Sequence, residues 1–205
     1  ADLTRRLAEA HPSDERVAER HAYCLNYDDR ATRGEINAAH RRWGALAEAA
    51  RPVLPAKGRE KRDRLRVGLM SSDLRRHSVA HFIRPVLEGL DRGRFEVHAF
   101  FTSSKADDVT DALRPLADAW HDVATLTEPA LAERIREAGI DVLVELNGHF
   151  AGHRLGVLAR RPAPVQATWL GYANTTGLSR VDTRLIDART DPPECDAAPE
   201  GERES

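Results

Sequence analysis

The chain has 205 residues, of which 41% are hydrophobic, and this suits one domain of ordinary size plus an appendage. Its 31 Lys and Arg residues nearly balance its 33 Asp and Glu residues, so we expect neither a nucleic-acid partner nor a membrane partner. The sequence has no signal-like apolar start and no run of about eighteen apolar residues. Cys24 and Cys195 lie far apart and outside zinc spacings, which favours a reducing cytoplasm over a disulfide framework.

The first part of the chain, residues 1–51, is predicted to be helical. Two stretches carry this pattern, "DERVAERHAYCL" and "TRGEINAAHRRWGALAEAA", and Thr32 is a candidate N-cap of the second. The apolar residues that recur at helical spacing in the second stretch are Ile36, Ala39, Trp43, Leu46 and Ala47. Residues 52–64 are rich in proline, glycine and charge, so we predict a linker and a domain boundary there.

Strand and helix patterns alternate after the linker. The predicted strands are "LRVGLM" (65–70), "FEVHAFF" (95–101), "IDVLVEL" (140–146) and "VQATWLG" (165–171), with a further strand beginning near "DTRLID". Helical patterns at 79–90, 108–119 and 128–139 separate them. This order predicts an α/β fold with a Rossmann-like, doubly wound parallel sheet over residues 65–190. Residues 191–205 are predicted to be a disordered tail.

The stretch "SSDLRRHSVAHF", residues 71–82, follows the first strand and can be interpreted in three ways. A helix through it would place Asp73, His77 and His81 on one face as metal ligands, with His149 and His153 as further candidates. The zincin pattern is incomplete, because "HSVAH" has serine in place of glutamate. The stretch could instead be a catalytic loop, since parallel sheets bind ligands beyond the carboxyl ends of their strands. In the simplest interpretation, Asp73 caps a helix whose histidines face water.

Other motifs mostly exclude functions. The sequence has no GxGxxG after the first strand, no GxxxxGK[ST] and no GxSxG, which argues against dinucleotide oxidoreductases, P-loop NTPases and α/β-hydrolases. The segment "WLGYANTTG", residues 169–177, follows a predicted strand and is rich in small and hydroxylated residues. It is either a plain turn or a loop that lets backbone amides approach a phosphate or a sugar.

Four segments in order resemble the amino-terminal half of the catalytic region of bacterial-type O-linked N-acetylglucosamine (O-GlcNAc) transferases. They are "LRVGLMSSDLRRHSVAHF", "IDVLVELNGHFAGHR", "RRPAPVQATWLGYANTTG" and "DTRLIDARTDPP". Residues 1–51 similarly resemble the segment that joins the tetratricopeptide (TPR) repeats of that family to its catalytic core. The resemblance implies the amino-terminal lobe of a GT-B glycosyltransferase. It also implies inverting transfer from UDP-N-acetylglucosamine to Ser or Thr of a protein or peptide, with no cofactor and no catalytic metal.

The resemblance also assigns roles to individual residues. His77 and Asp73 match the family's catalytic positions, and Arg154 matches a cleft-lining arginine that follows its Asn-Gly motif. Gly171 and Tyr172 match the start of a loop near the donor, and His21 is the nearest match to a histidine from the helical region. The residues assigned to substrate binding are His21, His81, Asn147, His149, Arg154, Gly171, Tyr172, Asn174 and Thr175.

Two departures from the family leave alternatives open. The family's Gly-Tyr-Pro-Gly-Thr is "GYANT" here, which changes the stiffness of the loop and its fit to the donor. The carboxyl-terminal, UDP-binding lobe is missing from this sequence, so we expect the chain by itself to be inactive. The alternatives are a non-catalytic protein-interaction module on a degenerate Rossmann-like lobe, and a metal-dependent hydrolase.

Overall fold

A computed structural model describes residues 2–58, 62–187 and 189 of the chain. The helices are α1 (Asp2–Ala10), α2 (Glu15–Leu25), α3 (Arg33–Ala49), α4 (Ser78–Gly89), α5 (Asp108–Leu113), α6 (Glu128–Glu137) and α7 (Leu155–Leu158), with a 3₁₀ turn at Arg114–Leu116. The strands are β1 (Leu65–Ser71), β2 (Phe95–Phe101), β3 (Ala119–Asp122), β4 (Val142–Glu145), β5 (Val165–Trp169) and β6 (Thr183–Leu185). The tail predicted over 191–205 lies outside the described residues.

The six strands form one parallel sheet with the order β3-β2-β1-β4-β5-β6. The chain therefore runs outward from β1 in one direction and then returns to build the other half of the sheet from β4. The order reverses between β1 and β4, and a crevice at such a reversal is where open α/β sheets bind their ligands. The predicted α/β, doubly wound, Rossmann-like fold is confirmed.

Both faces of the sheet are covered, as the near-continuous apolar strands require. Successive residues of a strand point to opposite faces, so Met70 and Leu69 of β1 belong to different cores. The first core lies under α3, α6 and α7, and the second lies under α4 and α5. The largest fully buried side chains include Trp43, Phe100, Phe101, Leu131 and Leu143.

Strand β3 was not predicted from the sequence. In its four residues, "AWHD", the first three are half-buried and Asp122 is exposed at the edge of the sheet, and the predicted helix over 108–119 included Ala119. That helix ends at Leu113, and a 3₁₀ turn containing Pro115 leads into the strand. Pairing with β2, which no local pattern reveals, decides the strand conformation of this segment.

The helix after β1 does not begin at Asp73. Helix α4 begins at Ser78, and its N-cap is His77, whose Nδ1 accepts a hydrogen bond from the Val79 amide at 3.3 Å. The interpretation in which Asp73 caps this helix is therefore wrong, and so is the single helical face for Asp73, His77 and His81. The four residues between Asp73 and Ser78 form a loop that leaves Asp73 at the strand end.

The helical region packs directly on the sheet region. Trp43 and Ala47 of α3 belong to the core that also contains Met70 and Phe100. As predicted, Thr32 caps α3, and it forms a reciprocal capping box with Glu35. The division at 52–64 stays a prediction, although Leu54 of that segment donates its amide to the Arg160 carbonyl at 2.8 Å.

The docking of α3 depends on a close approach of two glycines. A Cβ on Gly44 would lie 1.9 Å from the Gly177 carbonyl oxygen, and a Cβ on Gly177 would lie 2.0 Å from the His40 carbonyl oxygen. Gly177 also has a φ of +76°, which glycine adopts without strain. The α3 backbone therefore touches the loop after β5 with no side chain between them.

We predict that Gly44→Ala destabilises the protein by about 1–3 kcal/mol, because the added methyl group forces α3 away from the 177 loop. The measurement is the free energy of unfolding from urea titration. Gly89→Ala at the end of α4 is the matched control, since a Cβ there meets nothing within 4 Å. Equal stability of the two variants would contradict the close approach.

Candidate functional site at the ends of strands β1 and β4

The polar centre of the molecule lies just beyond the carboxyl ends of β1 and β4. Ser72 and Asp73 follow β1, and Asn147 follows β4. All three are buried, with Asp73 8% exposed and Asn147 2% exposed. The two strands are paired up to Met70 and Glu145, which brings these polar residues to the same edge of the sheet. This is the edge predicted from the parallel fold.

The carboxamide of Asn147 joins the two strand ends. Its Oδ1 accepts the Ser72 amide at 3.0 Å, and its Nδ2 donates to Ser72 Oγ at 2.9 Å and to Asp73 Oδ2 at 2.7 Å. The buried carboxamide therefore uses both of its donors and one lone pair of its oxygen, and it fixes the orientation of the Asp73 carboxylate.

Glu145 holds the turn that carries Asn147. Its two carboxylate oxygens accept the amides of Asn147 and Gly148, each at 2.8 Å. Burial raises the pKa of Glu145 to about 7, against the lowering effect of these two hydrogen bonds. Gly148 has a φ of +57°, and a Cβ there would lie 2.1 Å from the Tyr172 Cβ, so only glycine fits this turn.

His77 lies beside Asp73 at the mouth of the crevice. Its Nδ1 is 3.8 Å from Asp73 Oδ2, and its side chain is 40% exposed. Because Nδ1 accepts the Val79 amide, the neutral ring carries its proton on Nε2. His81 is also exposed, but it lies one turn into α4, where it makes none of the contacts that join Asp73, His77 and Asn147.

His149 occupies a buried position between the helical region and the sheet. Its Nε2 donates to the Thr176 carbonyl at 2.9 Å, and its ring packs edge-on against Trp43 with centroids 4.5 Å apart. The side chain is fully buried. His149 therefore ties the loop after β4 to the loop after β5, beneath the crevice.

Tyr172 lies against the helical region. Its hydroxyl donates to His40 Nε2 at 2.9 Å, since His40 Nδ1 already donates to the Ile36 carbonyl at 2.7 Å. The Tyr172 oxygen also accepts from Asn26 Nδ2 at 2.5 Å. Burial lowers the pKa of His40 to about 4 and raises that of Tyr172, so both are neutral near neutral pH.

The remaining loop residues lie close by. Asn174 Nδ2 donates to Asn26 Oδ1 at 3.0 Å, and Thr175 Oγ1 accepts the Gly177 amide at 3.1 Å. A Cβ on Gly171 would lie 1.9 Å from the Leu146 carbonyl oxygen, so this loop packs tightly on the end of β4. The structure thus brings the assigned residues of 147–149 and 171–175 together.

Two assigned residues point elsewhere. The Arg154 guanidinium donates to the Leu126 and Ala124 carbonyls at 3.1 and 2.9 Å, in the loop after β3. His21 lies on α2 with Nδ1 3.2 Å from Thr4 Oγ1. The histidine of the helical region that reaches the loop after β5 is His40, whose sequence spacing gave no sign of this role.

Glu19 of α2 is a second residue that sequence reasoning missed. Its Oε1 lies 2.6 Å from His153 Nε2 and 3.4 Å from His149 Nδ1. Burial alone would raise the pKa of Glu19, but the hydrogen bonds and charges of the two histidines lower it to about 2. Burial would likewise lower the pKa of His153, but the bond to Glu19 and nearby carboxylates raise it. The pair is thus an ion pair between helix and loop.

A cavity of about 540 Å³ opens between α1, α2 and the loop after β4. Its lining includes Glu19, Arg20, Tyr23, His149, Gly152 and His153. Gly152 lies against Ser72, since a Cβ there would be 3.8 Å from Ser72 Oγ. The cavity therefore adjoins the polar centre.

Two further properties concern the described residues as a whole. Within residues 2–58, 62–187 and 189, no three His, Cys, Asp or Glu side chains come together in a way that could hold a metal ion. None of the helices in the described part of the chain has the length and apolar character that a bilayer crossing needs.

We predict that Glu19→Gln destabilises the protein by about 1–3 kcal/mol, with a marked pH dependence. The raised pKa of His153 contributes stability below the ordinary value of 6.5, and this is lost as the pH rises through the raised pKa. The lowered pKa of Glu19 contributes stability above the ordinary value of 4.5, and this is lost as the pH falls towards about 2. The difference from wild type should therefore be largest between pH 4.5 and 6.5.

Chemical denaturation of the two proteins across this pH range measures the difference. Glu88→Gln is the matched control, because Glu88 pairs with Arg84 on an exposed face of α4. A pH-independent difference for Glu19→Gln would show that the ion pair does not contribute to stability.

Comparison with known proteins places this arrangement in a family. The family model described as glycosyl transferase family 41 matches residues 21–199. The probable UDP-N-acetylglucosamine–peptide N-acetylglucosaminyltransferase SPINDLY of Oryza sativa subsp. japonica is 36% identical over 189 residues, which cover 89% of this chain and 20% of that protein. The UDP-N-acetylglucosamine–peptide N-acetylglucosaminyltransferase of Caenorhabditis elegans is 35% identical over 132 residues, covering 63% of this chain and 11% of that protein.

A solved structure shows the same likeness. A mutant of the Thermobaculum terrenum O-GlcNAc transferase superposes with a TM-score of 0.79 at 36% sequence identity, covering 88% of this chain and 35% of that one. The chain spans about a fifth of the length of the SPINDLY relatives that it matches. Sequence, fold and order of motifs agree, and the chain belongs to glycosyl transferase family 41.

Proposed function

We propose that this chain is the amino-terminal catalytic lobe of a protein O-GlcNAc transferase. The enzyme would move N-acetylglucosamine from UDP-N-acetylglucosamine to Ser or Thr hydroxyls of a protein or peptide. The observation that carries the proposal is the cluster of Asp73, Asn147 and His77 at the switch point of the sheet, in which Asn147 Nδ2 donates to Asp73 Oδ2 at 2.7 Å and His77 Nδ1 lies 3.8 Å from the same oxygen. The family membership of this chain and the names of its relatives indicate the class of reaction.

His77 is proposed to contact the donor as a hydrogen-bond donor. Its Nδ1 is occupied by the Val79 amide, which leaves the Nε2 proton free to face the crevice. Negative charge develops on the leaving diphosphate as the bond between the anomeric carbon and the phosphate oxygen breaks. An N–H aimed at that charge stabilises the transition state more than the ground state.

Asp73 is proposed to receive the proton of the acceptor hydroxyl, directly or through one water. The oxygen of that hydroxyl forms the new bond to the anomeric carbon on the face opposite the leaving UDP, so the configuration inverts. The carboxylate is oriented by the 2.7 Å bond from Asn147, and its side chain is 12% exposed, so an oxygen can still reach a ligand. Proton acceptance and bond formation would then occur together at this edge of the sheet.

The loop after β5 is proposed to line the donor side of the crevice. Asn26 of the helical region makes hydrogen bonds with the side chains of Tyr172 and Asn174, and these bonds hold the loop in place. A loop fixed in this way can present backbone amides to a sugar or phosphate without losing entropy on binding. These contacts with Asn26, the C-cap residue of α2, would offset the departure from the family's Pro-Gly.

We also propose metal independence, a class of acceptor and a cellular location for this enzyme. Transfer would need no metal ion, and activity retained in a chelator would support this. The near balance of 31 basic and 33 acidic residues supports a protein acceptor over a nucleic acid or membrane partner, and the scarcity of cysteine supports a cytoplasmic location.

We predict that Asp73→Asn lowers the transfer rate by about 10²–10⁴-fold and that His77→Ala lowers it by about 10–10³-fold. The assay uses the full polypeptide that carries this chain, with UDP-N-acetylglucosamine and a Ser/Thr peptide, and mass spectrometry of the product. Arg84→Ala on the exposed face of α4 is the control.

Wild-type rates in both variants would contradict the roles given to Asp73 and His77. Failure of the wild-type polypeptide to bind UDP, measured by calorimetry, would favour the alternative of a non-catalytic interaction module. UDP binding together with transfer would exclude that alternative.

A further inference from the structure

Glu145 is a carboxyl group at the centre of the sheet. It lies in register between Met70 of β1 and Thr168 of β5, and it is 1% exposed. Burying an ionised carboxylate costs several kcal/mol unless its oxygens are fully hydrogen-bonded. An apolar side chain would fill this place without that cost, so the carboxyl group requires an explanation beyond packing.

The two oxygens of Glu145 hold one turn. They accept the amides of Asn147 and Gly148 at 2.8 Å each, and both of those residues are buried. Without Glu145, two buried N–H groups would lack these partners, and each would cost about 1–3 kcal/mol. Glu145 thus sets the backbone of the turn, including the left-handed conformation of Gly148.

The backbone turn at Asn147 and Gly148 fixes the position of the Asp73 carboxylate. The Asn147 side chain leaves this turn to donate to Asp73 Oδ2 at 2.7 Å, and Asp73 lies 3.8 Å from His77 Nδ1. The Asn147 carboxamide has little freedom of its own, because it also makes two bonds with Ser72. A change in the turn must therefore move the Asp73 carboxylate or break its hydrogen bond.

We propose that Glu145 is a positioning residue of the transfer site, acting through the Asn147 turn to fix the Asp73 carboxylate beside His77. This inference rests on the proposed function for its consequence in catalysis. Glu145 does not itself touch the crevice, because both of its oxygens face the turn. The charged groups that act on it are Asp73 after β1 and His153 in the loop after β4.

Only a carboxylate provides this support. A carboxylate has two acceptor oxygens, whereas a glutamine of the same shape has one oxygen and one NH₂ group. In Glu145→Gln, one of the two turn amides would face a donor instead of an acceptor. The substitution keeps the volume of the side chain but replaces one acceptor oxygen with a donor and removes the carboxylate charge.

The activity test compares Glu145→Gln with wild type in the full polypeptide. We expect kcat to fall about ten- to a hundredfold, while KM for UDP-N-acetylglucosamine changes less than about twofold, because the turn positions the reacting groups and not the donor. Leu143→Val on the same strand is the matched control. Leu143 is fully buried but makes no contact with the turn through a polar group, so its loss of stability should leave kcat unchanged.

A second measurement tests the hydrogen bonds of Asn147 in the 205-residue chain itself and needs no enzymatic activity. In wild type, the Asn147 side-chain NH₂ is bonded to Ser72 and Asp73, so its NMR signals should exchange slowly with solvent. We expect this exchange to become faster in Glu145→Gln and to remain slow in Leu143→Val.

The outcomes separate the two proposals. A wild-type kcat in Glu145→Gln, or an Asn147 NH₂ that stays protected in that variant, would overturn the positioning role. A kcat loss of the same size in Leu143→Val would also overturn it, since the effect would then follow from lost stability. If the wild-type polypeptide transfers no sugar, the proposed function fails, and the NMR measurement still decides whether Glu145 positions Asp73.

Discussion

The hydrogen bonds of the Asn147 carboxamide hold the centre of this molecule together. They connect the end of β4 to Ser72 and Asp73 at the end of β1, across the point where the strand order reverses. A parallel sheet leaves a crevice at such a point, and without a cross-link the two loops that border it would move independently. The cross-link converts two loops into one rigid edge that carries a carboxylate and, beside it, an imidazole.

The helical region holds two of the loops at this edge in place. The Gly44 and Gly177 contact lets α3 rest on the loop after β5, while Glu19 pairs with His153 in the loop after β4. His40 and Asn26 then hold Tyr172. The loops after β4 and β5 are therefore each bonded to the helical region that precedes the sheet in sequence. The helices are part of the site's support, although the linker composition alone suggests a separate unit.

The sequence predicted much of the fold for a clear reason. Continuous apolar strands such as 140–146 alternate with amphipathic helices, and this pattern permits few topologies besides a doubly wound parallel sheet. The edge strand β3 was missed because its half-buried residues carry no periodic signal and its conformation depends on pairing with β2. The helical pattern predicted over 79–90 matches α4, but the N-cap of this helix is the histidine His77 and not Asp73, which one interpretation of the sequence had expected.

The sequence by itself determined the family, the parallel sheet and the edge where Asp73, His77 and Asn147 gather, because strand order fixes which loops meet. The tertiary structure alone decided the partners of those residues. The sequence assigns no role to Glu19, His40 or Glu145, and their roles come from contacts such as Glu19 with His149, which are 130 residues apart. Hydrogen bonds of this kind depend on distances of a few tenths of an ångström and on burial, which no spacing along the chain encodes.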